Sequence, residues 1–144
     1  MSAPDIPFNK EPPGPAGEVT RLSPLVRRVL APNKGPFTFT GTCTYIVGEG
    51  KVAVIDPGPE DETHTQALLR ALKGETISAI LVTHTHRDHS PGARLLQTRT
   101  GAPIIGCATH VPIADPPSGR LDASHDVDHS PDEVLNDGAI FKGD

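Results

Sequence analysis

His84, His86, Asp88 and His89 fall within six consecutive positions of the stretch ILVTHTHRDHSPGA, residues 80–93. They follow directly on an aliphatic run. Extended backbone places side chains two apart on the same side, so His84 and His86 can grip one metal ion together. Asp88 and His89 come as the chain turns toward the next segment, and face elsewhere, toward a second ion. Imidazole and carboxylate without thiolate suit Zn²⁺, or else iron or manganese. With seven histidines in 144 residues, chance yields H-x-H-x-D-H in such a chain with a probability on the order of 10⁻³.

The remaining candidates read differently. Asp56 closes the apolar run of VIDPG. It is either a turn-forming aspartate or an acceptor that orients a metal-bound histidine. His64 lies in a charged helix start and reads as a solvated residue. His110, His125 and His129 lie in loop sequence and read as surface histidines. Cys43 and Cys107 read as small, reduced core residues, too few for a disulfide framework.

These groups need elements to position them. Residues 1–18 hold five prolines and read as an irregular arm, separate from a domain over residues 19–144. Residues 19–33 suit one edge strand, with Pro24 excluding a central one. FTFTG, CTYIVGEGK and VAVIDPG are β-rich runs broken by glycine, a hairpin pattern. Residues 59–75 predict a helix, with acidic residues at its start, an apolar side of Ala67, Leu68, Leu69, Ala71 and Leu72, and Gly74 at its end. The run at residues 77–83 is continuous and aliphatic, the pattern of a strand buried on both faces. A second helix is expected from SPGARLLQTRTG, with Ser90 as its cap. PIIGCA predicts a strand, residues 109–137 a loop, and AIF a last strand. The alternation after residue 50 gives an α/β layered sheet, which places ligands beyond the carboxyl ends of its strands.

Composition limits the function. A net charge of −5 and a pI near 5.7 disfavour nonspecific binding to nucleic acid or to anionic membranes. No stretch is long and apolar enough to span a membrane. The N-terminal residues lack the basic and apolar regions of a secretory signal, so a cytoplasmic protein is expected.

The motif, with IDPG upstream, resembles the metallo-β-lactamase-fold hydrolase superfamily. Within it, GPFTFTGTCTYIVGEGKVAVIDPG, ILVTHTHRDHSPGA and VLNDGAIFKGD are most similar to the β-lactamase-like protein 2 family and its bacterial relatives. Hydrolases of the glyoxalase II type are more distant cousins. The resemblance runs from about Arg21 to the last residue. It implies the first half of an αβ/βα sandwich, a mixed sheet with helices on one face. It implies two ions, usually zinc, with His84 and His86 on the first, Asp88 and His89 on the second, and Asp56 as supporting acid. Such ions lower the pKa of bound water and polarise the scissile bond of an ester, thioester, phosphodiester or similar group. Asp88 would also help to move the proton. Mammalian members of the nearest family cleave single-stranded RNA, so the implied substrate is a small molecule or a single-stranded nucleic acid.

The chain departs from that family in two ways. Cys43 stands where relatives carry Asn in GTNTY. The family's third histidine for the first ion, its bridging aspartate and its last histidine all follow the DG strand, beyond Asp144. The expectation is therefore an N-terminal fragment with two protein ligands per ion, where catalytic zinc has three, and with one sheet face uncovered. The alternative is a catalytically inactive remnant, or a binding module with a weak partial metal site. A third reading has His110, His125 or His129 complete a site of a different kind.

Overall fold

The computed structural model describes residues 7, 9, 11, 13–112 and 124–143. Among them lie β1 (Val19–Arg21), β2 (Val26–Leu30), β3 (Cys43–Glu49), β4 (Lys51–Ile55), α1 (Glu62–Ala71), β5 (Thr76–Val82), α2 (Gly92–Thr100), β6 (Ile104–Gly106) and β7 (Glu133–Val134). The strands form one mixed sheet in the order β1-β2-β3-β4-β5-β6-β7. Pairing is antiparallel from β1 to β4 and parallel from β4 to β7. Each helix is the crossover of a parallel pair, since parallel strands cannot be joined by a tight turn.

Both helices lie on one face. The core there joins Val29, Ile46, Val52, Val54, Ile80, Val82 and Ile104 of the sheet to Ala67, Leu68, Ala93 and Leu96 of the helices. Helix α1 starts at Asp61, whose carboxylate accepts the His64 N–H at 2.9 Å, satisfying one of the free donors of the first turn. Its buried residues, His64, Thr65, Ala67 and Leu68, share one side at helical spacing. Arg27 of β2 clasps Glu75, beyond the helix, through two bonds of 2.8 Å.

Several expectations are corrected. Residues 19–33 make two strands rather than one, with Pro24 in the turn between them. FTFTG is no strand: Thr38 N–H donates to Gly35 and Gly41 N–H to Thr38, and Phe39 takes a φ of +54°. Local turns override its β composition. Ser90 does not cap α2, because its hydroxyl donates to Asp126 at 2.7 Å. AIF forms no strand, whereas the expected loop at 109–137 contains β7. Residues 113–123 of that loop lie outside the described residues, as do 1–6, 8, 10 and 12 of the arm. Strand β5 is buried on its helix face at Ile80 and Val82, and on the other face at Ala79, while Leu81 there is only half-buried. On the other face, Val47, Ala53, Ile55 and Leu81 border an open hollow of about 530 Å³, together with Phe141.

Candidate metal centre

The site grows from the carboxyl ends of β4 and β5. Asp56 leaves β4 with a φ of +50°, a conformation a non-glycine residue keeps only when its surroundings hold it. Its N–H donates to Leu81 O at 2.8 Å. Its carboxylate then accepts three bonds: from Thr83 N–H at 2.8 Å, from the Thr83 hydroxyl at 2.6 Å, and from His89 Nδ1 at 3.0 Å. Burial alone would raise the pKa of this carboxyl, but the bonds from His89 and Thr83 outweigh it, and the acid is held below its ordinary range. His89 shifts upward: burial opposes its charge, and Asp56 and Asp88 prevail.

The same bonds choose the tautomers. The Thr83 hydroxyl gives its one proton to Asp56, so it accepts from His84 Nδ1, 2.9 Å away. His84 therefore presents a bare Nε2. Burial, and then the neighbouring His89 and His86, lower its pKa and favour the neutral ring. His89 donates from Nδ1 to Asp56, and its Nε2 faces Asp88 Oδ2 at 3.2 Å. Two ligands at zinc distances of ~2.0–2.1 Å span about 3.3 Å across a tetrahedral edge, so this pair fits one ion. Asp88 also accepts from Thr42 at 3.3 Å, and Thr42 is held by Asn33 at 3.0 Å.

His84 is the hub. Its ring lies 4.3 Å from that of His89 and 4.7 Å from that of His86. Donor atoms of Asp56, His84 and His89 lie within 4.8 Å of one another. Both oxygens of Asp56 already accept hydrogen bonds, from Thr83 and His89, while the same carboxylate stands among the three groups that could hold an ion. The exposed His86 continues the array outward, with His125 at 4.7 Å and His110 stacked on His125 at 3.8 Å.

Segment 124–126 runs antiparallel along 85–87. His86 pairs with His125, Arg87 N–H donates to Ser124 O at 2.9 Å, and Asp126 N–H to Thr85 O at 2.6 Å. Asp126 is buried and anchors Ser90 and Arg94, each at 2.7 Å. Sequence reasoning passed over Thr83, Thr42, Asn33 and Asp126; only Thr83, adjacent to the motif, had a positional signal.

Two histidines are corrected. His64 is buried, 1% exposed, and bonds Thr44. His129 is 2% exposed, with Nε2 at 2.9 Å from Cys107 O. Both cysteines are half-buried.

Fold and site together define an α/β protein whose mixed sheet carries a cluster of histidines and carboxylates beyond the carboxyl ends of its strands. The chain belongs to the metallo-β-lactamase superfamily, whose family model matches residues 37–144. It is 41% identical over 78 residues to an atrochrysone carboxyl ACP thioesterase of Passalora fulva, covering 52% of this chain and 23% of that protein. It is 38% identical over 78 residues to a beta-lactamase-like protein 2 homolog of Caenorhabditis elegans, covering 51% and 26%. Among solved structures, it resembles a beta-lactamase domain protein from Burkholderia ambifaria, with a TM-score of 0.54, 27% identity, and coverage of 72% of this chain and 35% of the other. The metallo-beta-lactamase SMB-1 has a TM-score of 0.60 at 21% identity, covering 82% and 46%, and shares the fold. The matched region spans about a quarter of the length of these curated relatives.

Proposed function

We propose that this chain supplies the metal-binding loop of a hydrolase that uses zinc, two ions in the complete site, to cleave an acyl ester or thioester. The observation that carries the reading is the convergence of His84 and His89 at the end of β5, with their tautomers set by Asp56 and Thr83. In this reading His84 and His86 hold the first ion, Asp88 and His89 hold the second, and Asp56 orients His89. The ions would supply Lewis acidity and an activated water. In this reading the bond from His84 Nδ1 to Thr83 leaves the His84 Nε2 bare, His89 gives up its Nε2 proton when it takes the ion, and the Asp88 carboxylate can accept a proton. The name of the thioesterase relative favours a thioester over a phosphodiester, as does the net charge of −5.

The test is zinc titration of the purified chain against a chromophoric chelator, with stoichiometry read by native mass spectrometry. H84A/H86A and D88A/H89A are each expected to lose one zinc equivalent. A double variant that keeps the wild-type stoichiometry would overturn the assignment. Hydrolysis of an acyl-N-acetylcysteamine thioester by the zinc-loaded chain reads the activity. Zinc binding without hydrolysis is the outcome expected of a chain with two protein ligands per ion, whereas turnover would show that these ligands suffice.

A further inference from the structure

His64 is a buried imidazole that the proposed chemistry does not use. Three features of the sequence bring it to its position. Asp61 caps its backbone N–H. Helical spacing turns it toward the sheet with Leu68. Gly58 leaves the room, since a Cβ there would meet His64 Cδ2 at 3.0 Å and Nε2 at 3.3 Å. The ring reaches Thr44 of β3, itself fully buried, with Nε2 2.8 Å from the hydroxyl.

Thr44 Oγ1 also lies 2.8 Å from the carbonyl oxygen of Asp56. A hydroxyl has a single proton. Were it sent to His64, the Asp56 carbonyl would face a lone pair at 2.8 Å. The proton therefore goes to Asp56, and His64 donates from Nε2. This leaves Nδ1 bare, and Nδ1 is buried with no hydrogen-bond partner among the described residues. A buried acceptor without a partner is unfavourable, so the ring is held here for what Nε2 does.

We propose that His64 is a positioning residue: through Thr44 it locks the carbonyl of Asp56, and with it the left-handed turn from which the Asp56 carboxylate holds His89. Burial, against the opposing pull of Asp61, lowers the His64 pKa to about 4. The ring thus stays neutral and the relay keeps its proton order near neutral pH. The lock itself needs no metal. Its consequence for zinc rests on the function proposed above.

The test uses the whole 144-residue chain without metal, with long-range ¹H–¹⁵N spectra of the imidazoles. His64 is expected as the Nε2–H tautomer, and an Nδ1–H tautomer would overturn the proposal. In His64→Leu, exchange of the His89 Nδ1 proton is expected to speed up about tenfold or more, whereas His64→Gln, which restores a donor at the same place, stays within about twofold of wild type. Equal exchange in all three proteins overturns the proposal. Should His64→Leu fail to fold, Thr44→Val is read in the same way: faster exchange supports the lock and unchanged exchange overturns it. Zinc affinity is expected to fall about tenfold in His64→Leu and to recover in His64→Gln. If the wild-type chain binds no zinc, the metal reading fails, and the tautomer and exchange data still decide the lock.

Discussion

The Asp56 carboxylate is the residue on which the site turns, because its three bonds set both the β5 exit and the His89 ring. In Asp56→Asn, one carboxylate oxygen becomes an NH₂ group. If that group faces His89, two donors meet, and the ring must move its proton to Nε2, where a ligand needs a lone pair. Zinc affinity should fall about tenfold to a hundredfold; a chelator competition within twofold of wild type would remove Asp56 from this role. His64 gives a second prediction. Its pKa is about 4 in the folded chain against an ordinary 6.5, so between these values the unfolded chain binds a proton that the folded one excludes. Stability should therefore fall as pH drops from about 6.5 to about 4, by roughly 3 kcal/mol. Urea denaturation midpoints across this range should drop more steeply in wild type than in His64→Gln. The place of His64 was readable, since it lies four residues before Leu68 on the apolar side of α1, yet its charged neighbours pointed to solvent. Thr44 was not readable, because a threonine in a strand is an ordinary β-former, and neither was Thr42 just before that strand; only tertiary pairing shows whether their hydroxyls work.

At the scale of elements, the IDPG turn and the histidine loop are joined backbone to backbone. Gly58 N–H donates to His89 O at 3.1 Å and Gly92 N–H to Gly58 O at 2.8 Å. A Cβ on Gly92 would stand 2.4 Å from Pro57 O, and backbone cannot give way as a flexible side chain can. Gly92→Ala should destabilise the chain by about 3 kcal/mol, at the upper end of overpacking costs. Gly74, with a φ of +85° and nothing near its would-be Cβ, provides the contrast: Gly74→Ala should cost about 1 kcal/mol, from backbone strain alone. Chemical denaturation of both variants checks the pair, and equal losses would show that the two segments are not locked together. The crossover helices and central strands were legible because their apolar periodicity spans several turns or a whole strand. The β1–β2 turn, the FTFTG turns and the Ser90–Asp126 bond were not, because each depends on a partner that the local pattern does not contain.

For the whole molecule, the sheet has one helix-covered face and one partly open face, where Leu25 and Val47 are exposed beside Ile55 and Leu81. An apolar surface of this kind binds hydrophobic dyes and favours association. The folded chain should enhance the fluorescence of 8-anilinonaphthalene-1-sulfonate, and Leu25→Glu/Val47→Glu should reduce that signal without altering the far-ultraviolet circular dichroism. No enhancement in wild type would mean that the face is covered in solution. No described helix is long and apolar enough to cross a membrane. The open part of the face was foreseeable from the family resemblance, but β5 alone could not show it, because an uninterrupted aliphatic strand reads the same whether its second face is packed or open. The strand order carries one more consequence. Every strand pairs with its neighbour in the chain, so the sheet can be laid down in the direction of synthesis, each new strand docking on one already in place. Contacts of short sequence separation close quickly. The histidine loop, hung on β5, would then settle into place only after the β3–β4 hairpin that carries Thr44 and leads into Asp56 has formed.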